Sequence, residues 1–156
     1  MHYSYYPYPV PYREDPVLIR NLQKAINGEF SAIQCYRKLA ELAHSDEVRK
    51  QIEEIRRDEI RHLREFSTLY GSITGKHIMP KQTEECPDNF TRGLDAAFKD
   101  EQETVDFYLR AAEETSNLKA KGVFTRAARD EQNHAVWFLY YLMVRYTRSG
   151  YMYISP

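Results

Sequence analysis

Apolar residues recur along the chain in steps of three and four, and four such runs divide it. The first opens at Asp15, a residue that can cap a helix, followed by Pro16, which suits the first helical position. Its stripe is Leu18, Leu22, Ala25, Glu29, Ala32, Tyr36, Leu39 and Ala43. His44-Ser45-Asp46 is a short turn, so the second run should fold back antiparallel on the first. That second stripe is Val48, Ile52, Ile55, Glu59, His62, Phe66 and Leu69, with Gly71 expected to end the helix. Residues 71–88 hold Gly75, Pro80, Cys86 and Pro87, too long and too broken a stretch for a hairpin turn. They fit a crossover along the bundle, which sets the third helix parallel to the second. The third stripe is Leu94, Ala97, Glu101, Thr104, Tyr108, Ala111 and Thr115. After a turn near Ser116-Asn117 the fourth runs through Phe124, Ala127, Glu131, His134, Phe138 and Tyr141 to about Arg148. The pattern predicts an all-α fold, an antiparallel four-helix bundle over residues 15–148 with one long crossover between helices 2 and 3. A Tyr/Pro-rich tail (1–14) precedes it and a short tail (149–156) follows.

The stripes are apolar except near their middles, where Glu29, Glu59, His62, Glu101, Glu131 and His134 interrupt them. These interruptions repeat. Arg57-Asp58-Glu59-Ile60-Arg61-His62 and Arg129-Asp130-Glu131-Gln132-Asn133-His134 both read Arg-Asp-Glu-x-x-His, 72 residues apart. Glu29 and Glu101 each lie 30 residues before the Glu of their copy, and Tyr36 and Tyr108 each follow that earlier Glu by seven. Leu22 matches Leu94, Ile26 matches Phe98 and Phe66 matches Phe138 in the same register. An internal duplication of a two-helix unit accounts for all of this. Gly28, beside Glu29, costs helix propensity of roughly 1 kcal/mol and is expected to admit a neighbouring helix closely.

Four carboxylates buried together repel one another and are costly to desolvate. No Lys or Arg lies on the stripes at that level. Glu and His three apart share a helix face, and two copies of Glu-x-x-His plus two further Glu form a ligand set for two divalent metals. Their four positive charges would balance four carboxylates, with both imidazoles neutral. A buried hydrogen-bond network without metal is the competing account. Asp58 and Asp130 precede the second Glu of each copy. Metal-bound His commonly donates its other N–H to a carboxylate, so each Asp is expected to orient the His of the opposite copy; surface charges are the plainer account. Tyr36 and Tyr108 read equally as core aromatics or as partners of a ligand carboxylate, with a part in catalysis. Glu53, Glu54, Arg56, Arg57 and Arg61 fall off the stripe and read as a solvated face. Arg57 and Arg129 receive no role.

Composition narrows the classes. The 156 residues suit one domain, and a net charge of −1 does not point to nucleic acid. No apolar run approaches the ~20 residues of a membrane span, and the N-terminus lacks the apolar stretch of a signal peptide. Cys35 and Cys86 form no Cys-x-x-Cys pair, which argues against a rubredoxin-like iron site and for a reducing, cytoplasmic compartment. The N-terminal segment carries five tyrosines between Tyr3 and Tyr12 with alternating prolines, and favours an extended conformer. It reads as a tail lying along the bundle or a partner, or as an adhesive, oxidisable segment.

Glu29, Asp58-Glu59-x-x-His62, Glu101 and Asp130-Glu131-x-x-His134 make the chain, over about residues 15–146, resemble the ferritin-like superfamily of diiron-carboxylate proteins. It is most similar to the rubrerythrin group without its rubredoxin module. The resemblance implies a ferritin-like bundle with two irons per chain, Glu59 and Glu131 bridging, and Glu29 with His62 and Glu101 with His134 as terminal ligands. Thr104 stands where rubrerythrins carry an extra Glu, and Ile60 stands where bacterioferritins carry a haem-ligand Met, so no haem is expected. Nor does the chain leave room after helix 4 for the fifth helix of cage ferritins. The implied activity is that of a diiron oxidoreductase that reduces peroxide or dioxygen or oxidises Fe(II), relevant to oxidative stress, with an external electron donor and a homodimeric state. Manganese is the alternative metal. The alternative function is a structural or metal-holding protein, of a spore coat or similar layer, acting through its Tyr-rich ends.

Overall fold

The computed structural model describes residues 15–148, with side chains given to residue 144; both tails read from the sequence lie outside the described residues. Four helices follow in order: α1 (Pro16–Glu41), α2 (Asp46–Thr74), α3 (Phe90–Glu114) and α4 (Leu118–Arg148). Each begins at a polar residue whose side chain accepts from the first-turn amides. Asp15 accepts from Val17 and Leu18, Ser45 from Val48, Asn89 from Arg92, and Asn117 from Ala120.

Helix α2 runs past Gly71, where the sequence suggested an end. The helix ends at Gly75, which adopts the left-handed conformation with φ of 68°, its N–H donating to the Gly71 carbonyl at 2.9 Å. Gly71 itself is an ordinary helical residue. Gly28 also differs from expectation. A Cβ there would meet nothing within 4 Å, whereas one on Gly93 would stand 2.7 Å from Leu39 Cδ1. The close helix approach is therefore between α1 and α3 at Gly93.

Helix α1 packs most extensively on α2, and α3 on α4, with α1 against α3 and α2 against α4 completing the bundle. Asn21, early in α1, donates to Glu114, late in α3, and Leu39, late in α1, meets Gly93, early in α3. The two helices are thus antiparallel. Because α1 and α2 are also antiparallel across their short turn, α2 and α3 run parallel and the 75–89 crossover must traverse the bundle.

The apolar core is split in two. One cluster gathers Leu18, Leu22, Phe66, Leu69, Tyr108, Ala111 and Phe124 at one end. The other gathers Tyr36, Leu39, Ile52, Ile55, Phe90, Leu94 and Phe138 at the opposite end. Between them lies a layer of buried polar side chains: Glu29, Glu59, His62, Glu101, Glu131 and His134, each at most 3% exposed.

Candidate metal centre

The polar layer arises because all four helices break their apolar stripes at the same height. From α1 comes Glu29, from α2 Glu59 and His62, from α3 Glu101, and from α4 Glu131 and His134. One ligand atom from each of Glu29, Glu59, His62 and Glu131 falls within 4.8 Å of the others, and the same holds for Glu59, Glu101, Glu131 and His134. Glu59 and Glu131 belong to both groups.

The contacts follow the duplication. His62 Nδ1 lies 3.1 Å from Glu59 Oε2, 3.1 Å from Glu131 Oε1 and 3.6 Å from Glu29 Oε1. His134 Nδ1 lies 3.1 Å from Glu131 Oε2, 3.0 Å from Glu59 Oε1 and 3.8 Å from Glu101 Oε1. The opposite ring nitrogens face outward: His62 Nε2 is 3.2 Å from Asp130 Oδ2 and His134 Nε2 is 3.3 Å from Asp58 Oδ2. Each Asp thus reaches the histidine of the other half. The tyrosines cross between halves too. Tyr36 donates to Glu101 Oε1 at 2.6 Å, and Tyr108 donates to Glu29 Oε1.

Each imidazole Nδ1 carries at most one hydrogen, yet three carboxylate oxygens crowd it. Glu59 Oε1 and Glu131 Oε1 are left buried with no hydrogen bond of acceptable geometry. Buried orphan oxygens of this kind are uncommon and call for a partner. A cation among the three oxygens and the nitrogen would satisfy them together, so the donor set fits a metal ion in each group. Oxygen-rich sets with one imidazole suit iron or manganese.

Electrostatics show how the protein groups balance by themselves. Burial, reinforced by the Glu131 and Glu59 charges, pushes Glu29 and Glu101 well above the usual carboxylate range. Burial alone would raise Glu59 also, but the facing His134 and His62 outweigh it and bring it to about 2. Glu131 moves the same way: burial and the Glu59 charge oppose the shift, and hydrogen bonds from His134 and His62 prevail. His62, despite burial, is lifted to about 12 by Glu131 and Glu59, and His134 is lifted by Glu101, Glu131 and Glu59. The shifts favour the protonated forms of Glu29, Glu101, His62 and His134 and the ionised forms of Glu59 and Glu131, so opposite charges face one another in the layer. Burial, followed by the glutamates each faces, raises both tyrosine hydroxyls and keeps them protonated.

Sequence reasoning passed over several residues. Arg61, read as solvated, is the link between the two aspartates: Nη1 lies 2.6 Å from Asp58 Oδ1 and Nη2 lies 2.7 Å from Asp130 Oδ2. Its signal was the one mismatch in the repeated hexapeptide that exchanges a charge, Arg61 against Asn133. A cavity of about 150 Å³ opens beside the carboxylates, lined by Gly28, Tyr36, Tyr108, Thr104 and, from the crossover, Thr83 and Glu84. Glu103, turned from the stripe, sits exposed at its rim, and Asp100 joins the wall. Cys35 and Cys86, expected as free thiols, are joined in a disulfide between α1 and the crossover. A separation of 51 residues gave no hint of it; only the path of the crossover brings the two together.

The model of the rubrerythrin family matches residues 20–142. A Bacillus subtilis (strain 168) protein, "Uncharacterized protein YhjR", is 99% identical over 145 residues, covering 93% of this chain and all of that one. Among solved structures, a hypothetical protein from Pyrococcus furiosus superposes with a TM-score of 0.73 at 20% identity, over 93% of this chain and 99% of that one. An Anabaena variabilis protein with DJ-1/ThiJ/PfpI-like and ferritin-like domains matches with a TM-score of 0.67 at 15% identity, over 89% of this chain and 39% of that one. At these identities the structural likenesses speak for the fold. No described helix is long and apolar enough to cross a membrane. With a family match over most of its length and a buried Glu/His cluster at the centre of its bundle, the chain belongs to the rubrerythrin family.

Proposed function

We propose that the protein is a diiron oxidoreductase that reduces peroxide or dioxygen at the buried centre. The observation that carries the reading is the pair of four-residue ligand groups sharing Glu59 and Glu131. In this arrangement Glu59 and Glu131 would be shared between two metal ions, with Glu29 and His62 holding one and Glu101 and His134 the other. Iron held there would supply the electrons for reducing the oxidant, and oxidation of Fe(II) as substrate is the related use of the same chemistry.

The chain's own residues do the rest. Asp58 and Asp130 hold the histidine Nε2 edges, which turns Nδ1 inward. Tyr36 and Tyr108 hold Glu101 and Glu29 and keep a proton on each hydroxyl beside the cavity. That cavity has room for a few water-sized molecules, given a share of about 30 Å³ each in the liquid, so it admits peroxide or dioxygen and excludes larger substrates. Manganese is the other metal this donor set accepts. The exposed Val136, Tyr140 and Met143 on α4 supply apolar surface for a homodimer.

Anaerobic loading with Fe(II), desalting and metal analysis test the assignment. Wild type should retain two irons per chain and the Glu59→Ala, Glu131→Ala double variant none, with peroxide consumed only by the loaded wild type. Zero iron in wild type, or the same iron in both proteins, would sink it.

A further inference from the structure

The centre needs two electrons for each hydrogen peroxide it reduces to water, and Cys35 and Cys86 are the only cysteines in the chain. They are paired, and Cys35 immediately precedes Tyr36, whose hydroxyl donates to Glu101 at 2.6 Å. From the Cys35 sulfur to a carboxylate of the metal site, the path is one peptide unit, one phenol ring and one hydrogen bond. A small cavity of about 40 Å³ has Cys35 in its wall and shares Ala32, Tyr36, Glu84 and Asp100 with the metal-site cavity. A single layer of side chains separates the two.

The other sulfur faces outward. Cys86 lines an open surface groove with Arg37, Lys38 and Gln82, and Gln82 Nε2 donates to its Sγ at 3.5 Å. The groove carries both signs of charge, Arg37 and Lys38 beside Glu41, Glu84 and Glu85, and its open shape leaves the sulfur within reach of an external thiolate, which disulfide exchange requires. The bond is also not what holds the crossover down. Thr83 N–H donates to Ser31 Oγ at 2.9 Å, Lys81 N–H donates to Asn27 Oδ1 at 2.9 Å, and Lys38 Nζ bonds the Cys86 carbonyl at 3.0 Å and pairs with Asp88. These ties hold the crossover against α1 independently of the bond. Nor does the duplicated scaffold need the disulfide, because the position matching Cys35 in the second half is Phe107. Protein disulfides of reducing compartments are usually catalytic or redox-sensing, which would reconcile this pairing with a cytoplasmic setting.

We infer that Cys35 and Cys86 are a resident two-electron donor to the metal centre, making the protein a dithiol-dependent peroxide reductase. This rests on the diiron reading above. The balance is complete: two thiols form one S–S bond and release two electrons and two protons; hydrogen peroxide takes up both, its O–O bond breaks, and two waters leave. An external dithiol then reduces the disulfide through the Cys86 groove.

The test is a count of thiols in the full-length protein. The disulfide is reduced with a small dithiol, the reagent is removed anaerobically, and one portion is loaded with Fe(II) and another with Zn(II), which cannot change oxidation state. Each receives one equivalent of hydrogen peroxide per chain, and thiols are alkylated and counted by mass. The iron form should lose both thiols at least tenfold faster than the zinc form. A Cys35→Ser, Cys86→Ser variant loaded with the same iron should consume one burst of peroxide and then stop, where wild type supplied with dithiol continues. If iron is oxidised by peroxide while wild-type thiols stay reduced, or if the serine variant turns over with dithiol like wild type, the donor role is overturned and the diiron reading stands. If peroxide does not oxidise the bound iron at all, the diiron reading falls and the donor role with it.

Discussion

The two halves of the bundle hold the same ligands and differ in almost everything around them. Glu29 and Glu101, Glu59 and Glu131, His62 and His134, and Tyr36 and Tyr108 exchange places under the duplication, and each half completes the other through the Asp–His and Tyr–Glu contacts. Outside that set the symmetry fails. Gly28 opens onto the cavity, whereas its counterpart Asp100 is a carboxyl raised to about 7 by burial and by Glu84, Glu131, Glu59 and Glu103. Cys35 is tied to the crossover, whereas Phe107 packs in the core with Lys24 Nζ 4.2 Å from its ring centroid. Arg61 bridges both aspartates, whereas Asn133 is exposed. Gly28, Asp100 and the Cys35–Cys86 pair stand at or beside the cavity between α1 and α3, whereas Arg61 joins α2 to α4, so the duplication is broken on more than one side of the polar layer.

The largest effect that bears on this comparison is in pH. In each half the histidine and the terminal Glu, where a metal would bind, are both shifted toward their protonated forms. His62 sits at about 12 and Glu29 well above its ordinary value, with His134 and Glu101 shifted the same way. These shifts favour the protonated forms, so metal competes with protons for the site, and rising pH favours binding. We expect protons to be released as metal binds and apparent affinity to rise with pH. Metal titration in weakly buffered solution with a pH indicator measures both. His62→Ala and His134→Ala should each cut the release by the same amount. Unequal cuts would show that the electrostatic symmetry of the halves is only geometric.

The parts of this arrangement that were legible in the sequence are those that depend on one helix at a time. The stripes located four helices because core-facing residues recur every three or four positions, and a Glu or His on such a stripe is conspicuous for its desolvation cost. The repeated hexapeptide, with a Glu 30 residues before the Glu of each copy, then put six such residues at one height. What the stripe could not show are contacts made across helices by residues beside it. Arg61 lies between the buried and solvated faces of α2, and its long side chain reaches α4. Cys86 and Glu84 lie in a crossover with no periodicity to read. The end of α2 was misplaced because two glycines four residues apart were both eligible, and only backbone geometry distinguishes Gly75.

Arg61 gives the next sharpest test, since it is where the repeat itself breaks. Removing it leaves Asp58 and Asp130 without their shared cation and frees them to turn from the histidine Nε2 atoms. Changes in the outer partners of metal-bound histidines typically cost 10- to 100-fold in metal affinity. Arg61→Ala should therefore weaken both metals by about that factor, because one guanidinium serves both halves. Asn133→Ala should change affinity by less than about twofold, as exposed polar residues away from such contacts usually do. Competition titration against a chelator of known affinity separates them. Loss of only one metal in Arg61→Ala would show that the bridge matters to one aspartate alone.

The smallest effect concerns two glycines that the halves do not share. Gly28 and Gly93 both lie inside helices, where Ala is favoured by about 0.5–1 kcal/mol. At Gly28 the added methyl group meets nothing within 4 Å, so Gly28→Ala should stabilise the protein by about that amount, read as a higher urea midpoint with an unchanged slope. At Gly93 the methyl group would stand 2.7 Å from Leu39 Cδ1 in the core between α1 and α3. Forcing a methylene into a packed core costs about 1–3 kcal/mol, which outweighs the propensity gain, so Gly93→Ala should lower the midpoint. The opposite signs would locate the tight seam between the halves at Gly93 and leave Gly28 as wall of the cavity. A stabilising Gly93→Ala would mean that Leu39 moves aside freely and that α1 and α3 are not held together there.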